Sequence, residues 1–327
     1  MRLPCLNQFA ENCWCATVSK DLKAFLVSDL VATALGERVS SIEPILGRGS
    51  INHVFDVLTE RSRLIVRMNS AAYGVHSYEK ERWVMEKARA CGVPVPSVLA
   101  VTGTESHVYM ILTHISGVSG IEYAGDRIHI WRQLGRYARV INSIKSEGLG
   151  GRLIDSCGDR FAQSWVQWVE EELRRLFKDD RFVRWGILSS RQVCQAKNKL
   201  ETFLEWSFEP TLNHGNLSLE NTIVDDCDAL AIIDWGNAMS HRSPHFDLAE
   251  VCLWNKDLQV VEGFREGYGI SHREFEDMKS EIAVLQLWRV LDCINWSLKV
   301  TGGEKSNKFV QYGIKKLPEL LRTAELS

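Results

Sequence analysis

Apolar positions divide the chain into a strand-patterned part and a helix-patterned part. Behind Ser19, a good N-cap, Leu22, Phe25, Leu26 and Leu30 recur at i, i+3, i+4 and i+8, which predicts a helix with those four on one face. From Ile42 to Met68 the spacing turns to strands: HVFDVL and RLIVRM are short β-rich runs, the first preceded by LGRGSIN. SYEKERWVMEKARACG returns to helical spacing, with Glu81, Val84 and Ala88 on one face at i, i+3 and i+7 and Gly92 as the stop. VPVPSVLAV reads as an extended connector into a strand, and HVYMILTHISG as another strand, broken at Ser116-Gly117. Beyond Gly117 the pattern is mostly helical. Ile128, Trp131, Leu134, Ala138 and Ile141 mark one amphipathic helix, FAQSWVQWVEEELRRLF a second and RQVCQAKNKLETFLEWS a third.

A β-rich part followed by a larger helical one predicts an α+β protein of two lobes, with a ligand cleft between them. The expected division is a loosely ordered leader over 1–17, an N-terminal lobe over 18–112, a connecting segment over 113–117 and a C-terminal lobe over 118–327.

Composition narrows the partners. The 327 residues are 45% hydrophobic and 25% charged, too apolar for disorder, and the net charge of −3 gives no reason to expect nucleic acid or an anionic membrane surface. No apolar run approaches the roughly 18 residues that a membrane span needs, and the first fifteen residues lack a signal peptide's apolar core. Of nine cysteines only Cys13 and Cys15 are close, with Cys5 the nearest third, and no further ligand follows at metal spacing. Cys252 and Cys293 sit in apolar runs, as small hydrophobes do. A reducing cytoplasm and a soluble protein, monomer or homodimer, are the expectation.

TIVDDCDALAIIDW reads as a hairpin, with strands over 221–225 and 230–234 joined through residues 226–229. Folded symmetrically about that loop, it sets Thr222 opposite Ile233 and Asn221 opposite Asp234, and directly opposed residues lie about 4.5–5.5 Å apart. An amide oxygen and a carboxylate at that separation, with room for phosphate and water, suit Mg²⁺. The plainer alternative is a surface hairpin whose end residues cap the turn.

Taken together, HGNLSLENTIVDD and the following AIIDWGNAMSHRSPHFDLAEV resemble the aminoglycoside phosphotransferase family, relatives of choline kinase and of the protein kinases. The pattern there is H-G-D-x-x-x-x-N, a hairpin, I-D-W and a D-L-A helix. This chain supplies His214, Gly215, Asn221, Ile233, Asp234, Trp235, Asp247, Leu248 and Ala249. IVRMNSAAYG, VPVPSVLAV and IDWGNAM are similar to the hygromycin-type branch of that family.

The resemblance implies a protein kinase-like fold and an ATP-dependent phosphotransferase using Mg²⁺, with GTP left open as donor. It makes Asn221 and Asp234 the metal ligands and lays Gly49, Ser50 and Asn52 over the phosphates. Arg67 stands where most relatives carry a phosphate-binding Lys, with Glu81 as its helical partner, and Thr113-His114-Ile115 is the hinge that holds adenine through backbone groups. His214 orders the catalytic loop. The residues themselves agree for Arg67: Leu64, Val66 and Met68 alternate with it, so it projects from the opposite strand face, where a planar guanidinium can grip Glu81 and a phosphate together.

At position 216 the family's Asp is replaced by Asn. Asp there accepts or orients the substrate hydroxyl's proton, whereas Asn accepts only a hydrogen bond. Three explanations stay open: an inactivated variant of a kinase, a kinase with another base (Glu220, Asp225 and Asp226 are near in sequence), or a pseudokinase that binds nucleotide without transfer. For the acceptor, the family implies a hydroxylated polycation of the aminoglycoside or aminocyclitol type, hygromycin B among them, held by Glu250, Trp254 and Asp292. Glu250 and Trp254 are expected on one helix face at i, i+4. A choline-like amine, homoserine or another sugar is the alternative acceptor.

Overall fold

The computed structural model describes residues 20–46, 52–146, 148–151, 164–300 and 307–322; the leader, Ser19, Gly49 and Ser50 fall outside them. In chain order the elements are α1 (Lys20–Leu35), β1 (Val39–Pro44), β2 (His53–Thr59), β3 (Arg63–Ser70), α2 (Val75–Ala90), β4 (Val98–Gly103) and β5 (His107–Thr113). There follow β6 (Val118–Ser119), α3 (Arg127–Ile141), α4 (Trp165–Leu176), α5 (Arg181–Arg184), α6 (Ser190–Glu201), β7 (Thr211–Asn213), β8 (Thr222–Val224), β9 (Leu230–Ile232) and β10 (Met239–His241). Five helices end the chain: α7 (Phe246–Trp254), α8 (Leu258–Tyr268), α9 (His272–Asp277), α10 (Lys279–Val300) and α11 (Lys308–Arg322). The protein is α+β.

The chain forms two compact units. The first comprises the described residues up to Gly117 together with Ile223–Gly236; the second comprises Val118–Thr222 and the residues from Asn237 onward. The return of the hairpin to the first unit is a feature that local pattern does not signal.

In the first unit an antiparallel sheet runs in the order β1-β2-β3-β5-β4. Leu64, Val66 and Met68 point to one face and join Phe55, Val57, Tyr109 and Ile111 in a core closed by Val27 and Val31 of α1. Val27 and Val31, at i, i+4, take the fully buried contact; of the face expected, Leu30 packs against the same core while Phe25 is 66% exposed. α2 serves the other side of β3, burying Tyr78, Glu81, Val84, Met85 and Ala88. The hairpin is fastened to this unit by the Ile232 amide, which donates to the Pro94 carbonyl at 2.9 Å.

The hairpin register differs by one residue from the symmetric expectation. The Asp225 amide donates to the Ala229 carbonyl at 3.0 Å and the Asp228 amide to the Asp225 carbonyl at 3.1 Å, with Asp228 left-handed at φ 60°. That is a turn with one bulged residue. Asn221 closes a 3₁₀ turn before β8, and Asp234 follows β9 with φ 60°. Neither is a ladder residue, so the cross-strand distance expected between them does not apply.

In the second unit α3 and α8 pack at close quarters. A Cβ on Gly135 would lie 2.1 Å from the Phe264 carbonyl oxygen, and one on Gly267 2.0 Å from that of Arg132. Much of the tryptophan content surrounds one imidazole. His241 is fully buried, its ring centroid 5.0 Å from that of Trp165, 5.3 Å from Trp168, 5.7 Å from Trp206 and 6.1 Å from Trp288. Its Nδ1 accepts from the Ser243 amide at 2.9 Å, which leaves the proton on Nε2. Burial drives its pKa down to about 3.

Candidate active site

The central strand β3 carries Arg67, between Val54 of β2 and Met110 of β5. Its guanidinium is 8% exposed and meets Glu81, which is wholly buried, with Nη1 2.5 Å from Oε2 and Nη2 3.4 Å from Oε1. The forked geometry is one that Lys could not reproduce. Nη2 lies 3.6 Å from Asp234 Oδ1, and the guanidinium carbon lies 5.4 Å from the centroid of the Tyr78 ring. Burial opposes the charge on Arg67, but Glu81 and Asp234 outweigh it and hold its pKa above the ordinary value. Asn52 Oδ1 accepts from Tyr78 Oη at 2.8 Å and from Asn69 Nδ2 at 2.9 Å. The first unit thus gathers Asn52, Arg67, Glu81 and Asp234 into one polar cluster.

At the end of β5 two of the three hinge amides are already engaged. Thr113 N–H donates to the Ser97 carbonyl at 2.9 Å and His114 N–H to that of Arg63 at 3.2 Å. Among the described residues Ile115 N–H has no such partner.

The second unit holds the HGN loop by its backbone. Asp247, wholly buried in the first turn of α7, accepts from the amide of His214 at 3.0 Å through Oδ2 and from that of Gly215 at 2.8 Å through Oδ1. Gly215 turns there with φ 77°, and a Cβ would lie 2.4 Å from the Asn237 carbonyl oxygen. Asn142, capping the end of α3, donates Nδ2 to Asp247 Oδ2 at 3.0 Å, and its Oδ1 accepts from Tyr268 Oη at 3.0 Å. Both ends of the packed α3–α8 pair therefore brace the loop. Asn142 and Tyr268 carry no signal in the sequence; Asp247 does, through the D-L-A pattern.

Asn221 Nδ2 donates to the main-chain carbonyl of Asn216 at 2.8 Å. A carbonyl can only accept, so this contact fixes the amide orientation and leaves Asn221 Oδ1 as the outward oxygen. In the first unit, Asp234 has a side chain that is 46% exposed. Among the described residues no group of three or more His, Cys, Asp or Glu could hold a metal ion.

The three acceptor candidates are not gathered at one surface. Glu250 is buried against Arg289 Nε, and Arg289 Nη1 reaches Asp292 at 3.3 Å. Arg175 meets Asp292 at 2.8 Å and Glu172 at 2.6 Å. Burial pushes Glu250 up to about 7 against the pull of Arg289. Trp254 instead packs on Tyr312 and Phe309, with ring centroids 5.2 and 5.8 Å apart. The described cysteines 91, 194, 227, 252 and 293 are free thiols, and burial raises those of Cys252 and Cys293 to about 12. Among the described residues no helix is long and apolar enough to cross a membrane.

The sequence pattern of the Phosphotransferase enzyme family matches residues 42–280, and the chain belongs to that family. Its fold is the one seen in a thermostable mutant of aminoglycoside phosphotransferase APH(4)-Ia in ternary complex with ADP and hygromycin B: TM-score 0.70, 18% identity, 92% of this chain and 99% of that one. A putative fructosamine-3-kinase from Haemophilus somnus 129PT gives 0.64 at 16% identity, covering 90% and 97%. Spectinomycin phosphotransferase APH(9)-Ia, in complex with ADP and spectinomycin, gives 0.57 at 15% identity, covering 93% and 98%. Acyl-CoA dehydrogenase family member 10 of Mus musculus is 23% identical over 239 residues, which is 67% of this chain and 21% of that protein. The match spans about a fifth of that relative's length.

Proposed function

We propose that this chain is an ATP-dependent O-phosphotransferase for a small hydroxylated molecule, its chemical step weakened by Asn216. The observation that carries the reading is the buried Arg67–Glu81 pair with Asp234 3.6 Å from the guanidinium. An ion pair with no further task is a costly thing to bury, because desolvation consumes most of its attraction. A guanidinium held rigid by Glu81 keeps its remaining donors for a phosphate. Asn221 Oδ1 and Asp234 are the proposed Mg²⁺ ligands; the ion, when bound, neutralises developing charge on the phosphates. Ile115 N–H serves the adenine ring.

Transfer would form a bond from the acceptor oxygen to the γ-phosphorus and break the bridge to ADP. Asn216 can orient the hydroxyl through its amide oxygen but cannot take its proton. A positioned base is worth roughly 10²–10⁴-fold, while phosphoryl transfer leans mainly on positioning and charge. Turnover is slowed, and nucleotide binding is untouched.

A second reading concerns the acceptor. Glu250 and Asp292 both spend their charge on Arg289, so a polycation finds less free carboxylate there than the sequence suggests. That favours a less charged hydroxylated metabolite over an aminoglycoside. Acceptor-dependent ADP release, measured with Mg·ATP over hygromycin B, spectinomycin, other aminoglycosides, a fructosamine, choline and homoserine, tests both readings. Release with any acceptor supports the phosphotransferase reading; release with one neutral or singly charged acceptor favours the less charged metabolite, and release with an aminoglycoside favours the polycation that the family resemblance implies. Mg·ATP binding with no acceptor-dependent release from any of them, even after Asn216→Asp, would identify a pseudokinase.

A further inference from the structure

Two neighbouring charged residues of α2 serve different ends within the first unit. Successive helix positions are about 100° apart, so Lys80 and Glu81 leave the helix in different directions. Glu81 meets Arg67, while Lys80 Nζ donates to the Gly236 carbonyl at 2.8 Å, two residues beyond Asp234. Asp234 itself has φ 60°, a conformation that costs energy for a residue with a side chain. Such a backbone persists only where its surroundings hold it. Among its restraints are the Trp235 indole N–H on the Ile232 carbonyl at 3.2 Å and the Lys80 ammonium on the Gly236 carbonyl. Arg67, at 3.6 Å, is too far from the carboxylate to fix it by a hydrogen bond.

We infer that Lys80 is a positioning residue: its ammonium latches the turn after Asp234 and so aims that carboxylate at the metal of a bound nucleotide. The inference rests on the nucleotide-binding reading above. Burial lowers the pKa of Lys80, Glu81 counters it and Arg67 adds to it, so the ammonium is kept in that place against its own desolvation. A charge-assisted hydrogen bond to a carbonyl repays part of that cost.

The full chain is compared with Lys80→Met and Lys80→Arg in two measurements. Amide hydrogen exchange over residues 233–236 is expected to quicken about tenfold in Lys80→Met, the scale of one lost charge-assisted hydrogen bond, and to return in Lys80→Arg. Calorimetric titration with ADP is expected to lose about tenfold of its Mg²⁺-dependent affinity in Lys80→Met, with metal-free ADP affinity unchanged. Equal losses with and without Mg²⁺ would make Lys80 a phosphate contact and overturn the inference, as would unchanged exchange. A parent chain without Mg²⁺-dependent ADP binding defeats the reading of the site and the metal-directed part of this inference, while exchange still decides the latch.

Discussion

Arg67 and Glu81 form a pair that is costly to bury and that the proposed function puts to use. Both are buried, and each offsets much of the other's desolvation. Removing Glu81 alone, as Glu81→Ala, strands a guanidinium and is expected to cost roughly 3–5 kcal/mol in urea denaturation. The paired replacement Arg67→Met with Glu81→Leu fills similar volume without charge and is expected to recover most of that loss. Nucleotide binding should fail to return with it. A double variant that still binds Mg·ATP at parental affinity would show that Arg67 does not hold phosphate. Arg67 was legible before the fold because strand alternation places it opposite Leu64, Val66 and Met68. Lys80, Asn142 and Tyr268 were not, because a helix residue's partner 156 positions away, as Gly236 is from Lys80, leaves no local trace.

Elements were legible where one period dominates. α2, α3, β2, β3 and β5 follow from the spacing of their apolar positions. The face of α1 was only partly legible: Leu30 packs on the core as the spacing implies, but Phe25 is exposed and Val27 and Val31 take the fully buried contact, which tertiary packing rather than apolar count decides. The hairpin register failed for a different reason: symmetry was assumed, whereas Asp228 adopts a left-handed backbone and absorbs a residue into the turn. The tryptophan-lined imidazole of β10 was invisible, since its partners come from α4, from the segment after α6 and from α10. It predicts a pH effect. With its pKa lowered from 6.5 to about 3 in the folded chain, His241 binds its proton in the unfolded state first. Its contribution to stability is therefore complete above pH 6.5 and is lost as pH falls towards 3, at up to about 1.4 kcal/mol per pH unit. Glu250, raised from 4.5 to about 7, acts in the opposite sense, so the total slope conceals each group. The difference in unfolding free energy between the parent and His241→Gln, followed from pH 7.5 to 4.5, isolates the histidine. A constant difference across that range would contradict the buried, neutral assignment.

For the whole molecule, membership of the phosphotransferase enzyme family and the kinase-like fold stand on the pattern match over residues 42–280 and on the solved relatives. Substrate does not follow from either, because relatives with this fold include proteins in complex with hygromycin B and with spectinomycin and one described as a putative fructosamine-3-kinase. In the proposed reading, the nucleotide-binding groups persist while an amide stands where the base would be. Asn216 is held through its main-chain carbonyl by Asn221, and its loop is held by Asp247, so the loop's conformation does not depend on the side chain at 216. Asn216→Asp should therefore restore a base to a loop already shaped for it. The direct measurement is single-turnover phosphoryl transfer from Mg·ATP to the best acceptor, parent against Asn216→Asp, with nucleotide affinity measured alongside. The expected result is a gain of about 10²–10⁴ in rate at unchanged nucleotide affinity. An unchanged rate, or a gain accompanied by altered nucleotide affinity, would contradict an intact phosphotransferase scaffold that lacks only its base.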